Sequence, residues 1–339
     1  MNQFPKVCIC IPHYNNEKTI SETLDSLVNQ TYKNIVIKIF DNASTDDSMK
    51  ILKEYEDKYP NIKIFQNEVN IGGEANFTKC IENLEGDYGA IYHADDIYES
   101  TIVETQVKYL TSYDISAVFV RAGLIDDCSK NIGEQFFPEE FINKAYIQFD
   151  FKRLFSAILK YDNFLITPSV MARVDIYREK IKHWNGEKFK TSADLDVWLR
   201  FAEIQDIGII TDKLISYRVS SASFTFRTKF SRYKLRDMFL VLDSYLERYN
   251  QDAFRLDDYE FLKFKDSLLI VSNKILNDIQ VKNSEIKLRK EVIKLLFTLD
   301  KSRSKVVLFA LMLKALLMCN CRKIQKKFIQ KVNQLRTGN

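Results

Sequence analysis

Two adjacent carboxylates, Asp95 and Asp96, end an apolar run, Tyr88-Gly89-Ala90-Ile91-Tyr92-His93, that reads as a buried β-strand. Like charges at the mouth of a strand repel, and a hard divalent cation such as Mn2+ or Mg2+ relieves that repulsion by taking carboxylate oxygens. The competing role for such a pair is a helix cap or a solvated turn. Asp41 closes another apolar run, residues 35–40, and a carboxylate there could accept the N–H of a pyrimidine base. Tyr14, in Pro12-His13-Tyr14-Asn15, offers a flat ring and a hydroxyl. Helix capping competes again at Asp41, where Ser44 would serve equally well, and at Asp194, which stands beside Thr191 and Ser192 at the start of a helical pattern.

The elements that must position these groups follow from periodicity. Strand patterns fall at residues 6–11, 35–40, 62–66 and 88–92, with helical patterns between them. Thr19-x-x-Glu22 reads as a capping box before Leu24, Leu27 and Val28, and Ser44 or Thr45 opens a helix through Met49, Ile51, Leu52 and Tyr55. Short strand–helix alternation predicts βαβ units and a mainly parallel sheet flanked by helices. In such a sheet, polar clusters at successive C-terminal strand ends converge on one crevice. Beyond Asp96 the alternation breaks up around residues 126–168, a kind of region that often carries the substrate-specific part of an α/β enzyme. A helix over 191–203 and a strand over 207–211 follow. Helical patterns at 233–249, 259–276, 285–297 and 306–318 then predict an all-helical C-terminal domain. The division expected is 1–225 and 226–339.

The chain of 339 residues is 46% hydrophobic and has only 9 Gly and 5 Pro, enough apolar material for full cores and too little of the flexible residues for a long linker. The first residues lack the charged and apolar regions of a secretory signal, so a cytoplasmic location is expected. Cys8 and Cys10 share a strand face and read as small apolar groups; the lone Cys319-x-Cys321 lacks a partner pair for a metal. Ten Lys or Arg and no acid follow from Lys301 onward, so the net charge of +4 resolves into +10 there and 4 − 10 = −6 over residues 1–300. The apolar run 306–318 is too short and, with Lys314, too charged to span a bilayer. Two readings fit it: packing or homo-oligomerisation through the helices, and peripheral contact with an anionic membrane face. No reader motif accompanies the charge, so no nucleic-acid partner is expected.

Taken in order, Pro12-x-Tyr14-Asn15-x-Glu17, Asp41-Asn42-x-Ser44-Thr45-Asp46, Asn70-Ile71-Gly72 with Asn76-Phe77, Asp95-Asp96-Ile97-Tyr98, Asp194-x-Asp196-Val197-Trp198-Leu199-Arg200 and Tyr217-Arg218-Val219 resemble the inverting glycosyltransferases of family 2 with the GT-A fold, across residues 5–225. The resemblance implies a nucleotide-sugar donor, typically a UDP-hexose, with dTDP-rhamnose the alternative suggested by the Asn70–Phe77 segment. It implies a glycan, glycolipid or glycoprotein acceptor. Pro12, Tyr14, Glu17 and Asp41 would cradle the nucleotide, Asp96 would ligate the metal, and Asp95 would reach the ribose or the metal-bound waters. Asp194 matches the general base. A sugar nucleotidyltransferase and a non-catalytic nucleotide-sugar-binding scaffold are the rival readings.

The chain departs from the family pattern at four places. His93 stands where a third acid often opens the metal cluster, and a histidine satisfied at the strand end is expected there. Ala193 precedes the base, Ser220 replaces a histidine, and Asn42 replaces a second Asp.

Overall fold

The computed structural model describes residues 4–219, 232–249 and 253–276. Its sheet contains β1 (Val7–His13), β2 (Ile35–Asp41), β3 (Ile62–Gln66), β4 (Tyr88–Ile91), β5 (Ile97–Tyr98), β6 (Ala117–Ile125), β7 (Asn131–Glu134), β8 (Tyr146–Phe149), β9 (Met171–Arg173) and β10 (Ile207–Arg218). The order is β3-β2-β1-β4-β9-β6-β10-β5, with β7 on β6 and β8 on β10.

Strands β1 to β4 are mutually parallel, as the alternating sequence patterns require. Helices Ile20–Val28, Ser48–Lys58 and Gly73–Glu82 connect them. Alternation along β1 and β2 places Val7, Ile9, Ile11, Ile37 and Ile39 in one core with Ile20, Leu24, Leu27 and Leu52 of the first two helices. On the other register of β1, Cys8 and Cys10 are buried free thiols with Sγ atoms 3.8 Å apart, packed as small apolar groups.

The second half of the sheet is mixed. β9 lies between β4 and β6 and is antiparallel to both. β6 and β10 are parallel, while β5 and β8 run antiparallel to β10. The polar Asp212 and Lys213 end the apolar pattern after Thr211, yet β10 continues to Arg218 through register shifts after Ile210 and Lys213. Its far end pairs Ile215 with Tyr98 and Ser216 with Ile97. Continued by two residues, that antiparallel register sets Arg218 across from Asp95.

Two expected helix starts take a different form. The helix Ile20–Val28 begins at Thr19, but the Thr19 hydroxyl donates to the Ala94 carbonyl, 3.3 Å, so the capping box does not close. The next helix begins at Ser48, whose N–H donates to Asp46 Oδ1, 3.1 Å. Ser44 is occupied elsewhere, donating its N–H to Asp41.

Among the described residues one compact unit comprises the chain up to 219 with residues 237–256, and a second comprises 232–236 with 257–276. The expected helix at 233–249 is Met238–Arg248, and it belongs to the first unit: the Tyr245 hydroxyl donates to Asp196 Oδ1, 3.2 Å, and its ring packs on Phe151 and Phe155. The helix expected at 259–276 is Leu256–Leu276. The helical patterns at 285–297 and 306–318, the basic tail, Ser220, Cys319 and Cys321 lie outside the described residues. No described helix is long and apolar enough to cross a membrane.

Candidate active site

The C-terminal ends of β2, β1 and β4 are neighbours because those strands are adjacent and parallel. The β1–β2 register sets His13 directly beside Asp41, and His13 Nδ1 lies 2.9 Å from Asp41 Oδ1. Asp41 is fully buried. Its Oδ1 also accepts the Ser44 hydroxyl, and its Oδ2 accepts the Ser44 N–H, 3.1 Å, and the Gln66 amide, 3.1 Å. Four donors fill the four lone-pair directions of one carboxylate. Burial alone would raise its pKa, but the hydrogen bonds from His13, Ser44 and Gln66 outweigh it and hold Asp41 below the ordinary carboxylate value. Gln66 is the exposed member of this set.

Around Asp41 the nucleotide-side candidates form one loop system. Tyr14 is 44% exposed, its ring standing at the surface, and Pro12 is half-buried. Asn15 adopts φ +53°, a left-handed geometry that Asn tolerates, and its side-chain oxygen accepts the Thr45 N–H, 2.8 Å. Glu17 accepts the Asp47 N–H, 3.1 Å, while its own N–H donates to Asp46. Asn42 shows why an amide suits this position: it accepts from Asn67 and the Ile71 N–H and donates to Asn70, whereas a carboxylate could only accept.

Beyond β4 the turn is held from several sides. The Thr23 hydroxyl donates to the Asp96 carbonyl, 2.8 Å, and the His93 N–H donates to the Tyr98 hydroxyl, 2.7 Å. Asp96 is fully buried, and its Oδ1 accepts the Arg218 backbone N–H, 2.8 Å. Its Oδ2 has no hydrogen-bond partner among the described residues. The His93 ring lies alongside, Nδ1 3.7 Å from that oxygen, and His93 Nε2 is also without a partner. The expected satisfied histidine is therefore not what the strand end holds. Ligand atoms of His93, Asp95 and Asp96 lie within 4.8 Å of one another.

Burial, reinforced by the charge of Asp95, pushes Asp96 well above the usual carboxylate range despite the Arg218 N–H. Burial also lowers His93, against the pull of Asp95, favouring the neutral imidazole that ligates metals. An orphaned buried carboxylate oxygen, a neutral imidazole and a second carboxylate fit a divalent cation.

Asp194 lies in the first turn of helix Ala193–Ile204, inside the N-cap Ser192. Its Oδ2 accepts the Thr167 hydroxyl, 3.0 Å, and its Oδ1 the Leu195 N–H, 2.7 Å. Burial raises its pKa in spite of both bonds. Tyr217 joins this acid to the others: burial raises its hydroxyl, and the charges of Asp96, Asp95 and Asp194 all raise it further. In the same helix Trp198 and Leu199 are core, and Arg200 pairs with Asp196, 2.9 Å.

Sequence reasoning quoted Arg218 and Tyr217 without a task and passed over His13 and Gln66. The signal for His13 was available, since alternation puts it on the face of Ile9 and Ile11 and parallel pairing sets it beside Asp41. Arg218 carried no such signal, because its partners are distant in sequence.

This is an α/β fold with a large sheet flanked by helices, of the GT-A type. A family model described as glycosyl transferase family 2 matches residues 8–179, and the chain belongs to that family. It is 32% identical over 219 residues to an uncharacterized glycosyltransferase of Methanocaldococcus jannaschii, covering 63% of this chain and 71% of that protein. It is 29% identical over 204 residues to the poly(ribitol-phosphate) beta-glucosyltransferase of Bacillus spizizenii, covering 57% of this chain and 32% of that one. A crystal structure of S. aureus TarS residues 1–349 in complex with UDP-GlcNAc shares the fold, with a TM-score of 0.53 at 18% identity over 88% of this chain and 74% of that chain.

Proposed function

We propose that this chain is a metal-dependent, inverting glycosyltransferase that moves a hexose from UDP to a hydroxyl of a glycan, or of a lipid-linked or protein-linked glycan. Family membership supports sugar transfer, and the UDP-GlcNAc complex of TarS supports a UDP donor. The observation that carries the reading is Asp96 Oδ2, buried without a partner beside His93 and Asp95.

In this reading residues 1–225 carry the catalytic site, with helix Met238–Arg248 packed in the same unit, and the rest of 226–339 serves assembly or surface contact. Asp41 accepts the base N–H in the place that the exposed Gln66 amide holds in the free protein, and Tyr14 lies against the base. Pro12 and Glu17 shape the same cradle, and Asp95 reaches the ribose or the metal site. His93, Asp95 and Asp96 hold the cation, and their mixed nitrogen and oxygen donors suit Mn2+ better than Mg2+. When bound, the cation stabilises the charge that builds on the departing diphosphate.

Asp194 takes the acceptor proton. Burial makes it a stronger base than a solvated carboxylate, while Thr167 and the Leu195 N–H fix its direction. As the acceptor O–H gives its proton to Asp194, its oxygen bonds to the anomeric carbon. The bond to the diphosphate oxygen breaks, and its electron pair leaves with UDP. One displacement inverts the centre, and no enzyme nucleophile takes part.

The test is a panel of UDP-hexoses with Mn2+ and oligosaccharide acceptors, read by proton NMR. Released UDP and a product of inverted anomeric configuration are expected. Retained configuration would contradict the mechanism, pyrophosphate release in a parallel assay with UTP and hexose 1-phosphates would mean nucleotidyl transfer, and UDP binding without turnover would mean a scaffold.

A further inference from the structure

An arginine beside two acids and a diphosphate site can neutralise the acids, clamp the phosphates or brace the backbone. The contacts of Arg218 separate these roles. Its Nε donates to the Asp95 main-chain carbonyl, 2.7 Å; Nη1 donates to the Asp126 carbonyl, 2.9 Å, and the Ser129 hydroxyl, 3.0 Å; Nη2 donates to Glu22 Oε2, 2.5 Å. Four such bonds leave one of the five guanidinium N–H groups uncommitted. The side chain is only 2% exposed, so it presents no surface to a phosphate. Neither Asp95 nor Asp96 receives the guanidinium on its carboxylate: Asp96 takes the backbone N–H instead.

We infer that Arg218 is a positioning residue for the metal site, tying the Asp95-Asp96 turn to the β6–β7 turn and to helix Ile20–Val28 so that Asp96 Oδ2 stays free for a cation. The inference rests on the metal-dependent reading above. Its electrostatics are consistent: Glu22 takes the charge of the guanidinium, and the Ser129 hydroxyl, 2.7 Å from the same Glu22 oxygen, closes the triangle. The carboxylate oxygens of the aspartate pair are thereby left to the cation. Glu22 abandons its expected capping role for this one, and β10 extends past its polar interruption to deliver Arg218. Groups that orient metal ligands in this way typically govern affinity by 10- to 100-fold.

Mn2+ titrated into the metal-free full-length protein without nucleotide, followed by electron paramagnetic resonance of the free ion, tests this. Arg218→Gln should weaken Mn2+ binding by roughly 10- to 100-fold, and Glu22→Gln should weaken it by a smaller factor. In transfer assays the Mn2+ concentration giving half-maximal rate should rise for Arg218→Gln, with excess Mn2+ restoring kcat, a rescue that general loss of structure would not permit. Unchanged Mn2+ affinity with weakened UDP binding would make Arg218 a phosphate clamp and overturn the inference. If Arg218→Gln does not fold, Glu22→Gln decides, and wild-type Mn2+ affinity in that variant overturns the brace. Sugar transfer by a wild type that binds no Mn2+ would instead remove the metal-dependent reading and the brace together.

Discussion

Asp41 and Asp96 end up in closely similar places and opposite electrostatic states. Each is fully buried at the C-terminal side of a parallel strand next to β1. Asp41 receives four donors and lies below the ordinary carboxylate pKa; Asp96 receives one on its carboxylate, faces Asp95 and lies well above it. Burial acts on both in the same direction, so the difference comes from the number of donors and from the neighbouring charge of Asp95. A saturated carboxylate stabilises the fold that saturates it, whereas an unsaturated one is a cost to the fold that a ligand can remove. The cradle loop is thus built to exist before the nucleotide arrives, and the acidic turn to be completed by what it binds.

Asp194 extends the comparison to a third acid, raised by burial but already held by two donors. Asp194→Asn should give the largest effect, a loss of about 10²- to 10⁴-fold in kcat with Mn2+ binding preserved. In the wild type the acid limb of kcat/KM should lie above the ordinary carboxylate value of 3.8, since the base works only ionised and its pKa is raised. Activity unchanged in Asp194→Asn would remove it from catalysis.

The next test sets the two buried aspartates against each other in metal-free protein. The raised Asp96 contributes stability that is present below its unfolded pKa and lost as pH rises through the folded value; the depressed Asp41 contributes stability present above its unfolded pKa and lost as pH falls through the folded value. At neutral pH Asp96→Asn should therefore raise Tm, while cutting turnover by about 10²- to 10³-fold. Asp41→Asn leaves buried donors without an acceptor and should cost about 1–3 kcal/mol, lowering Tm. Shifts of the same sign by calorimetry would break the contrast.

The smallest effect belongs to Gln66. Gln66→Ala removes one donor from Asp41 and opens the position assigned to the base N–H, so KM for the UDP-sugar should change by no more than a few-fold and kcat should hold. A large loss of kcat would mean that Asp41 depends on Gln66 during turnover.

The parallel half of the fold was legible because strand alternation and helical periodicity act locally, and Val7, Ile9 and Ile11 against Leu24 and Leu27 record both. The insertion of β9 between β4 and β6 was not, since antiparallel pairing there joins Ala172 to Gly89 and to Ala117 without a local marker. The acids of the site could be read from their order along the chain. Their environments could not: whether Asp41 is saturated depends on Gln66, and whether Glu22 caps its helix depends on Arg218, 196 residues away. The Thr19-x-x-Glu22 pattern failed because both side chains are engaged far along the chain, Thr19 by the Ala94 carbonyl and Glu22 by Arg218.

The most direct measurement of the central claim is the initial rate of sugar transfer from the preferred UDP-hexose after EDTA treatment and after Mn2+ is restored, for wild type and Asp96→Asn. Loss of wild-type activity with EDTA, recovery with Mn2+ and no recovery in Asp96→Asn is the predicted result. Full activity of the EDTA-treated wild type, or equal recovery in the variant, would contradict it.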